Sequence, residues 1–223
     1  MRRISALIIA LFLVVSGLFA QSGKDSIELS SFRKGRNLVG LGGSISSSNL
    51  SRANGSNDNS QLGNLYRFDI RLGKFVANKN ALGLLFTASR TQMIGYINNK
   101  AEFLSIGPWY RLYVGKEPNI AFYIQTDLLY SNYYGSSTGV QGLLTIDENL
   151  DVAGIHGALG IGLSYVIGDR VSFDVGFEYN QARYWGVVKD NTFGTSEDIV
   201  IDRSGFIFSF GFQVLFERLK KHD

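Results

Sequence analysis

Residues 205–216 read GFIFSFGFQVLF, and this stretch near the carboxyl end decides the fold. Its even-numbered positions are all large and apolar, whereas Ser209, Gly211 and Gln213 lie between them. A period of two with many aromatic residues is typical of a β-strand that has one apolar face. Such a strand needs a second sheet, a core or lipid against its aromatic face, and the rest of the chain indicates which.

The amino-terminal residues have the layout of a secretory signal peptide. Arg2 and Arg3 precede an apolar run over residues 4–15, and cleavage is expected after Ala20. An uncleaved anchor helix is the alternative, but an apolar core of about a dozen residues is shorter than the roughly 20 that span a bilayer. The sequence therefore predicts an exported protein.

Charge and composition exclude several functional classes. The chain has 22 Lys and Arg against 19 Asp and Glu, and removal of the predicted signal peptide leaves 20 against 19, a net charge of +1. This near-neutral balance gives no reason to expect a nucleic-acid partner. The absence of cysteine excludes disulfides, thiolate metal sites and a lipid-modified cysteine.

The alternation seen in residues 205–216 recurs along the whole mature chain. Long polar stretches and short turns separate the alternating segments in turn, and no segment has sustained helical periodicity. This layout predicts an all-β fold, an eight-stranded antiparallel up-and-down transmembrane β-barrel. Residues 205–216 should pair with residues 37–45 and so close the sheet. The strands are predicted at 37–45, 65–75, 81–90, 103–114, 120–131, 152–167, 171–181 and 205–216.

Volume decides which face of the sheet points inward. A soluble lipocalin-like ligand-binding barrel also alternates, so alternation alone leaves both arrangements open. An eight-stranded barrel has an interior just wide enough for its own side chains or one small ligand. The apolar faces carry roughly four or five large residues per strand, more than such a lumen can hold. We therefore place the apolar faces against lipid.

Loop lengths predict the orientation in the membrane. Short turns in the periplasm and long loops outside put both termini on the periplasmic side. The predicted organisation is a signal peptide at 1–20, a periplasmic segment at 21–35, the outer-membrane barrel at 36–217 and a periplasmic tail at 218–223. An aromatic girdle is expected at both rims, formed by Tyr130, Tyr133, Tyr134, Tyr184 and Trp185 on the loop side and by Tyr165 on the turn side.

Three segments carry a resemblance to a known family. They are RFDIRLGKFVANKNALGLLFTAS at 67–89, IGPWYRLYV at 106–114 and GLSYVIGDRVSFDVGFEY at 162–179. They resemble the small outer-membrane β-barrels of Bacteroidetes-type bacteria, which are related in architecture to OmpA and OmpX. The resemblance implies a Gram-negative outer membrane, insertion by the β-barrel assembly machinery, and contact with membrane lipid and lipopolysaccharide. Two departures are that no peptidoglycan-binding domain follows the barrel and that residues 217–223 trail its last aromatic residue.

Seven charged residues share the inward-facing positions of the predicted strands. A charge in a dry interior must be paired or hydrated, so mixed signs in a narrow lumen favour a cross-linked polar plug. A small ion or solute pore is the alternative. The members of this predicted structural network are Arg67, Asp69, Arg71, Arg111, Asp127, Asp174 and Glu178.

His156 raises one catalytic hypothesis. Ser131 and either Glu178 or Asn180 are expected near the same rim, so a Ser, His and carboxylate arrangement is conceivable, as in a lipid A-modifying hydrolase. The sequence that follows His156 lacks the His-x-Ser of the deacylase family. We predict a non-enzymatic barrel with no metal site and no cofactor. It would act through its loops, with a possible extracellular partner, or by stabilising the envelope.

Overall fold

Eight antiparallel strands form a closed ring in this computed structural model, which describes residues 31–51, 60–94, 97–115, 117, 119–141 and 144–217. Each strand pairs with the next along the chain, and the last pairs with the first, so the predicted fold class is confirmed. Within the described ranges there is no helix long and apolar enough to cross a membrane. The predicted signal peptide and tail lie outside the described residues. The strands are β1 (Asn37–Ser51), β2 (Ser60–Ala77), β3 (Asn80–Ile94), β4 (Ile97–Val114), β5 (Ile120–Gln141), β6 (Leu144–Ile167), β7 (Val171–Asp190) and β8 (Thr195–Phe216).

Apolar side chains cover the outside of the ring and polar side chains line its inside. On β7, buried and exposed positions alternate from Ser172 to Trp185 without a break. Phe177 is 59% exposed, whereas its neighbour Glu178 is 5% exposed. This inversion of the usual soluble arrangement is typical of a barrel that has lipid around it. It also excludes the lipocalin-like alternative, in which the apolar faces would fill the interior.

The strands extend beyond their predicted ends at one rim. We expected loops at residues 133–151 and 182–203, but β5 and β6 run for 22 and 24 residues, and β7 and β8 stay paired up to Asp190 and Thr195. An apolar band of about 25 Å needs only about ten tilted residues, so these strands project beyond it as two hairpins. The prediction failed because it placed the strand ends where the alternation of apolar and polar residues stops. A projecting hairpin has no face against lipid, so its strands stay paired without that alternation.

β1 and β8 close the ring over only part of their length. Their register runs from Asn37 opposite Phe216 to Gly43 opposite Phe210, which makes seven pairs. The predicted closing pair is therefore confirmed for residues 37–43. It is wrong for residues 205–209, which pair with β7 but have no partner on β1. We call the gap between residues 44–51 of β1 and 195–209 of β8 the seam.

The segment that precedes β1 closes the end of the barrel that carries the short turns. Phe32 is buried there, with its ring stacked 4.2 Å from the ring centroid of Tyr113. Arg36 Nη1 donates to Ser31 O at 2.8 Å and to Asp169 Oδ1 at 2.9 Å, which ties this segment to the turn between β6 and β7. Partial burial alone would raise the pKa of Asp169, but the Ser31 hydrogen bond and the Arg36 charge hold it below its usual range.

Large aromatic side chains fill the lumen above this closure. Trp109 and Tyr123 are 1% and 5% exposed, and each ring lies against a glycine of another strand. A Cβ added at Gly73 would lie 2.6 Å from Trp109 Cζ2, and one added at Gly162 would lie 2.4 Å from the Tyr123 hydroxyl. The inward glycines therefore make room for the rings that pack inside the barrel.

Gly162→Ala should lower the free energy of unfolding by about 1–3 kcal/mol, because the added methyl group overlaps the Tyr123 ring and lies 2.3 Å from Val175 O. The control is Gly205→Ala, because a Cβ at Gly205 meets no atom within 4 Å. Urea unfolding of both variants after refolding into phosphatidylcholine vesicles measures the difference. Equal unfolding free energies for the two variants would contradict this packing.

Candidate functional site

Alternation along four strands brings the seven predicted charged residues to the inner face. Side chains two residues apart on a strand point the same way, so Arg67, Asp69 and Arg71 of β2 enter the lumen together. Each of the seven is buried, with between 0% and 7% of its surface exposed. The others are Arg111 of β4, Asp127 of β5, and Asp174 and Glu178 of β7.

Four of these residues form what we call the upper charge cluster. Arg67 Nε donates to Asp69 Oδ1 at 2.8 Å, and its Nη1 donates to Glu178 Oε2 at 2.9 Å. Arg71 Nη2 lies 3.4 Å from Asp69 Oδ2 and 3.5 Å from Glu178 Oε1. Thr87 Oγ1 also donates to Asp69 Oδ1, at 2.8 Å. Two arginines therefore neutralise two carboxylates in a buried network, as burial of charge requires.

Arg111 and Asp174 form a second group, the lower charge cluster, nearer the short turns. Arg111 Nη1 donates to Asp174 Oδ2, and Arg111 Nε donates to Gln125 Oε1 at 3.0 Å. The guanidinium carbon also lies 3.9 Å from the ring centroid of Tyr123, a cation–π contact. Ser164 Oγ donates to Asp174 Oδ1 at 2.8 Å. The pair is thus neutral and supported by polar neighbours on both sides.

Asp127 is the exception among the seven. It is 5% exposed, and neither of its carboxylate oxygens has a hydrogen-bond partner among the described residues. The lumen therefore holds two neutral clusters and one buried carboxylate that no arginine contacts. Alternation along a strand predicts the face of the sheet on which a side chain lies, but it does not predict which charged side chains form pairs. The sequence therefore predicted one network of all seven residues.

The residues of the catalytic hypothesis have separate partners. His156 Nε2 lies 2.9 Å from Asn180 Oδ1, and Ser131 Oγ donates to Ser105 Oγ at 2.7 Å. The carboxylate of Glu178 contacts the arginines of the upper charge cluster. The structure therefore does not bring a Ser, His and carboxylate into one chain of hydrogen bonds. Among the described residues, no group of three or more His, Asp or Glu is placed to hold a metal ion.

The expected aromatic girdle divides between the two faces of the sheet. Tyr133 and Tyr184 point into the lumen, where the Tyr133 ring stacks 4.3 Å from Phe103 and the Tyr184 ring lies 5.9 Å from it. The prediction was wrong for these two tyrosines because adjacent residues on a strand face opposite sides. Phe103, Tyr133 and Tyr184 form what we call the aromatic cluster. The girdle residues that do face outward include Tyr130, Tyr134, Tyr165 and Trp185.

A cavity of about 180 Å³ is bounded by the upper charge cluster and the aromatic cluster. Arg67, His156 and Asn180 are among its polar lining, and Phe103 is among its apolar lining. Residues 203–207 of β8 form one wall. Sequence reasoning missed this cavity because it depends on how residues from six strands meet inside the ring.

Comparison with solved structures places the fold among outer-membrane β-barrels. The outer membrane protein OprG from Pseudomonas aeruginosa aligns over 85% of this chain and 100% of its own, at 11% identity and a TM-score of 0.53. The outer membrane protein AlkL, solved in lipid bilayers, aligns over 86% and 95%, at 14% identity and a TM-score of 0.51. At these identities the likeness shows the fold alone. No protein-family model and no curated protein matches the chain.

Asp174→Asn and Asp127→Asn should have different effects on stability. Asp174→Asn leaves the Arg111 charge buried without its partner and should cost about 3–5 kcal/mol of unfolding free energy. Asp127→Asn removes a carboxylate that has no hydrogen bond, so it should be neutral or stabilising. Urea unfolding in phosphatidylcholine vesicles at neutral pH measures both. A loss of stability in Asp127→Asn as large as that in Asp174→Asn would show that Asp127 is paired.

Proposed function

We propose that this chain is a non-enzymatic protein of the bacterial outer membrane, with both termini in the periplasm and a lumen that is plugged. In this proposal it acts outside the cell through its projecting hairpins, or it stabilises the envelope by its presence in lipid and lipopolysaccharide. The likeness to outer-membrane barrels supports the location. The observation that carries the proposal is the two charge clusters, whose ion pairs connect strands across the lumen.

The ion pairs of the two charge clusters connect strands that are far apart around the ring. Arg111 and Asp174 connect β4 to β7, and Arg67 and Glu178 connect β2 to β7. Both connections span three steps in a ring of eight strands, so each crosses the lumen. An eight-stranded barrel has room for little more than its own side chains. Packed aromatic rings and the buried Phe32 occupy the end of the lumen between the lower charge cluster and the short turns. This packing supports a barrel without a conducting path.

The hairpins beyond the apolar band supply the surface for an extracellular partner. β7 and β8 remain paired up to Asp190 opposite Thr195. Arg183 Nε and Nη2 each donate to the Asp202 carboxylate at 2.6 Å across this hairpin, and these hydrogen bonds lower the pKa of Asp202. A hairpin with such cross-strand pairs presents an ordered surface, unlike a coil loop.

Planar-bilayer recording tests the plug. The refolded wild-type protein should give no steady channels. The double variant Arg111→Ala and Asp174→Ala removes the ion pair of the lower charge cluster without leaving an unpaired charge, so it should give channel openings. The matched control, Arg183→Ala and Asp202→Ala, removes a pair outside the band and should stay silent. Steady, ion-selective channels from the wild type would contradict the proposal and favour a pore.

Single cysteines test the orientation, since the chain has none of its own. Phe193→Cys, in the exposed turn between β7 and β8, should react with a membrane-impermeant maleimide on intact cells. Glu117→Cys, in an exposed short turn, should react only after the outer membrane is permeabilised. The reverse order of labelling would place the termini outside the cell.

A further inference from the structure

The polar lining of the cavity carries hydrogen-bond donors and positive charge. Among the described residues, Arg67 Nη2 and Asn180 Nδ2 are buried atoms without a hydrogen-bond partner, and both residues line the cavity. Arg203 adds a second guanidinium to the lining, 5.2 Å from the Phe103 ring centroid. No Asp or Glu is among the residues that line the cavity. The Arg67 charge is balanced by Asp69 and Glu178, so the orphaned donors and the Arg203 charge are what favour a ligand that brings acceptor oxygens and negative charge.

The remainder of the lining is apolar, and the volume limits the ligand. Leu65, Phe103, Tyr184, Phe206 and Ile207 contribute carbon surface to the same space. The volume of about 180 Å³ is close to the roughly 150 Å³ of a cavity that admits benzene. A head group with a few carbon atoms fits this space. A whole phospholipid with two acyl chains does not, so the rest of an amphiphile must leave the cavity.

The seam gives the cavity a lateral exit. The outward apolar residues of β8 extend from Phe206 to Phe216, and pairing with β1 stops at Phe210, about halfway along them. Phe206 and Ile45, on the two sides of the seam, are 80% and 71% exposed. Unpaired strand edges at membrane depth are tolerated only where they line a cavity or are covered. The wall of the cavity at residues 203–207 belongs to one of these edges.

We propose that this cavity binds the carboxylate of a single-chain amphiphile, such as a fatty acid, whose alkyl chain leaves through the seam into the surrounding lipid. The two carboxylate oxygens accept hydrogen bonds from Arg67 and Asn180, and Arg203 adds charge attraction. A cationic amphiphile is repelled by Arg203, and a neutral alcohol lacks the charge that the site complements. The binding site borders the proposed plug at Arg67, and binding there requires no conduction through the lumen.

Photo-cross-linking tests this site in protein refolded into phosphatidylcholine vesicles. The probe is dodecanoic acid with a diazirine on its chain, and mass spectrometry maps the adducts. We expect adducts concentrated on the seam, at Ile45, Phe206 and Phe208. Unlabelled dodecanoate should displace the probe, whereas dodecanol and dodecyltrimethylammonium should not.

Two variants separate the pocket from general contact with lipid. Gly205→Phe places a ring in the open space of the cavity and should reduce seam labelling at least about tenfold, a difference of about 1.4 kcal/mol in binding. Ile161→Phe adds the same ring to an outward position of β6, away from the seam, and should leave labelling unchanged. Arg203→Gln should weaken displacement by dodecanoate by about two- to fivefold, as expected for one partly exposed charge.

Adducts spread evenly over the lipid-facing residues, or equal displacement by all three amphiphiles, would overturn the proposal. Seam labelling that survives in a folded Gly205→Phe variant would also overturn it. The displacement series uses the wild-type protein, so the proposal stays testable if Gly205→Phe does not fold. A channel-forming wild type would contradict the plug without affecting these outcomes, because one experiment measures conductance and the other measures displacement of a bound probe.

Discussion

Backbone hydrogen bonding in lipid is the constraint on which the rest of this structure depends. Hydrocarbon offers no partners to backbone N–H and C=O groups, so a chain that crosses the membrane as strands must close its sheet. Closure through β1 and β8 then divides the residues of every strand between lipid and lumen. The same alternation that would bury Phe206 to Phe216 in a soluble protein instead exposes them to lipid.

A closed ring of eight strands has a narrow interior, and this protein fills it in layers. Phe32 and the aromatic rings occupy the end with the short turns, the two charge clusters lie above them, and the aromatic cluster covers the cavity. Glycines such as Gly162 leave room for aromatic rings inside the barrel. Charge is tolerated in this interior because the arginines of both clusters contact carboxylates across the ring, and Asp127 alone departs from that rule.

At the seam, residues 44–51 of β1 and 195–209 of β8 run past each other unpaired. The seam begins at Phe210, about halfway along the outward phenylalanines of β8. It lies beside a cavity that contains hydrogen-bond donors without partners among the described residues. The lumen therefore has two parts with different contents. The part nearer the short turns joins opposite strands through paired charges, and the other part holds the cavity for which we propose a ligand.

The sequence by itself determined the strand count, the lipid-facing side and the inward position of all seven charged residues, because alternation with a period of two is a local property of the chain. The prediction put Tyr133 and Tyr184 on the wrong face because it expected an aromatic girdle at this rim and did not apply the alternation to these two residues. Tertiary structure alone decided which charges pair, why Asp127 stays apart, how far the hairpins project and where the closing register stops. Those features depend on contacts between strands that are distant in sequence, and the pattern within a single strand carries no information about them.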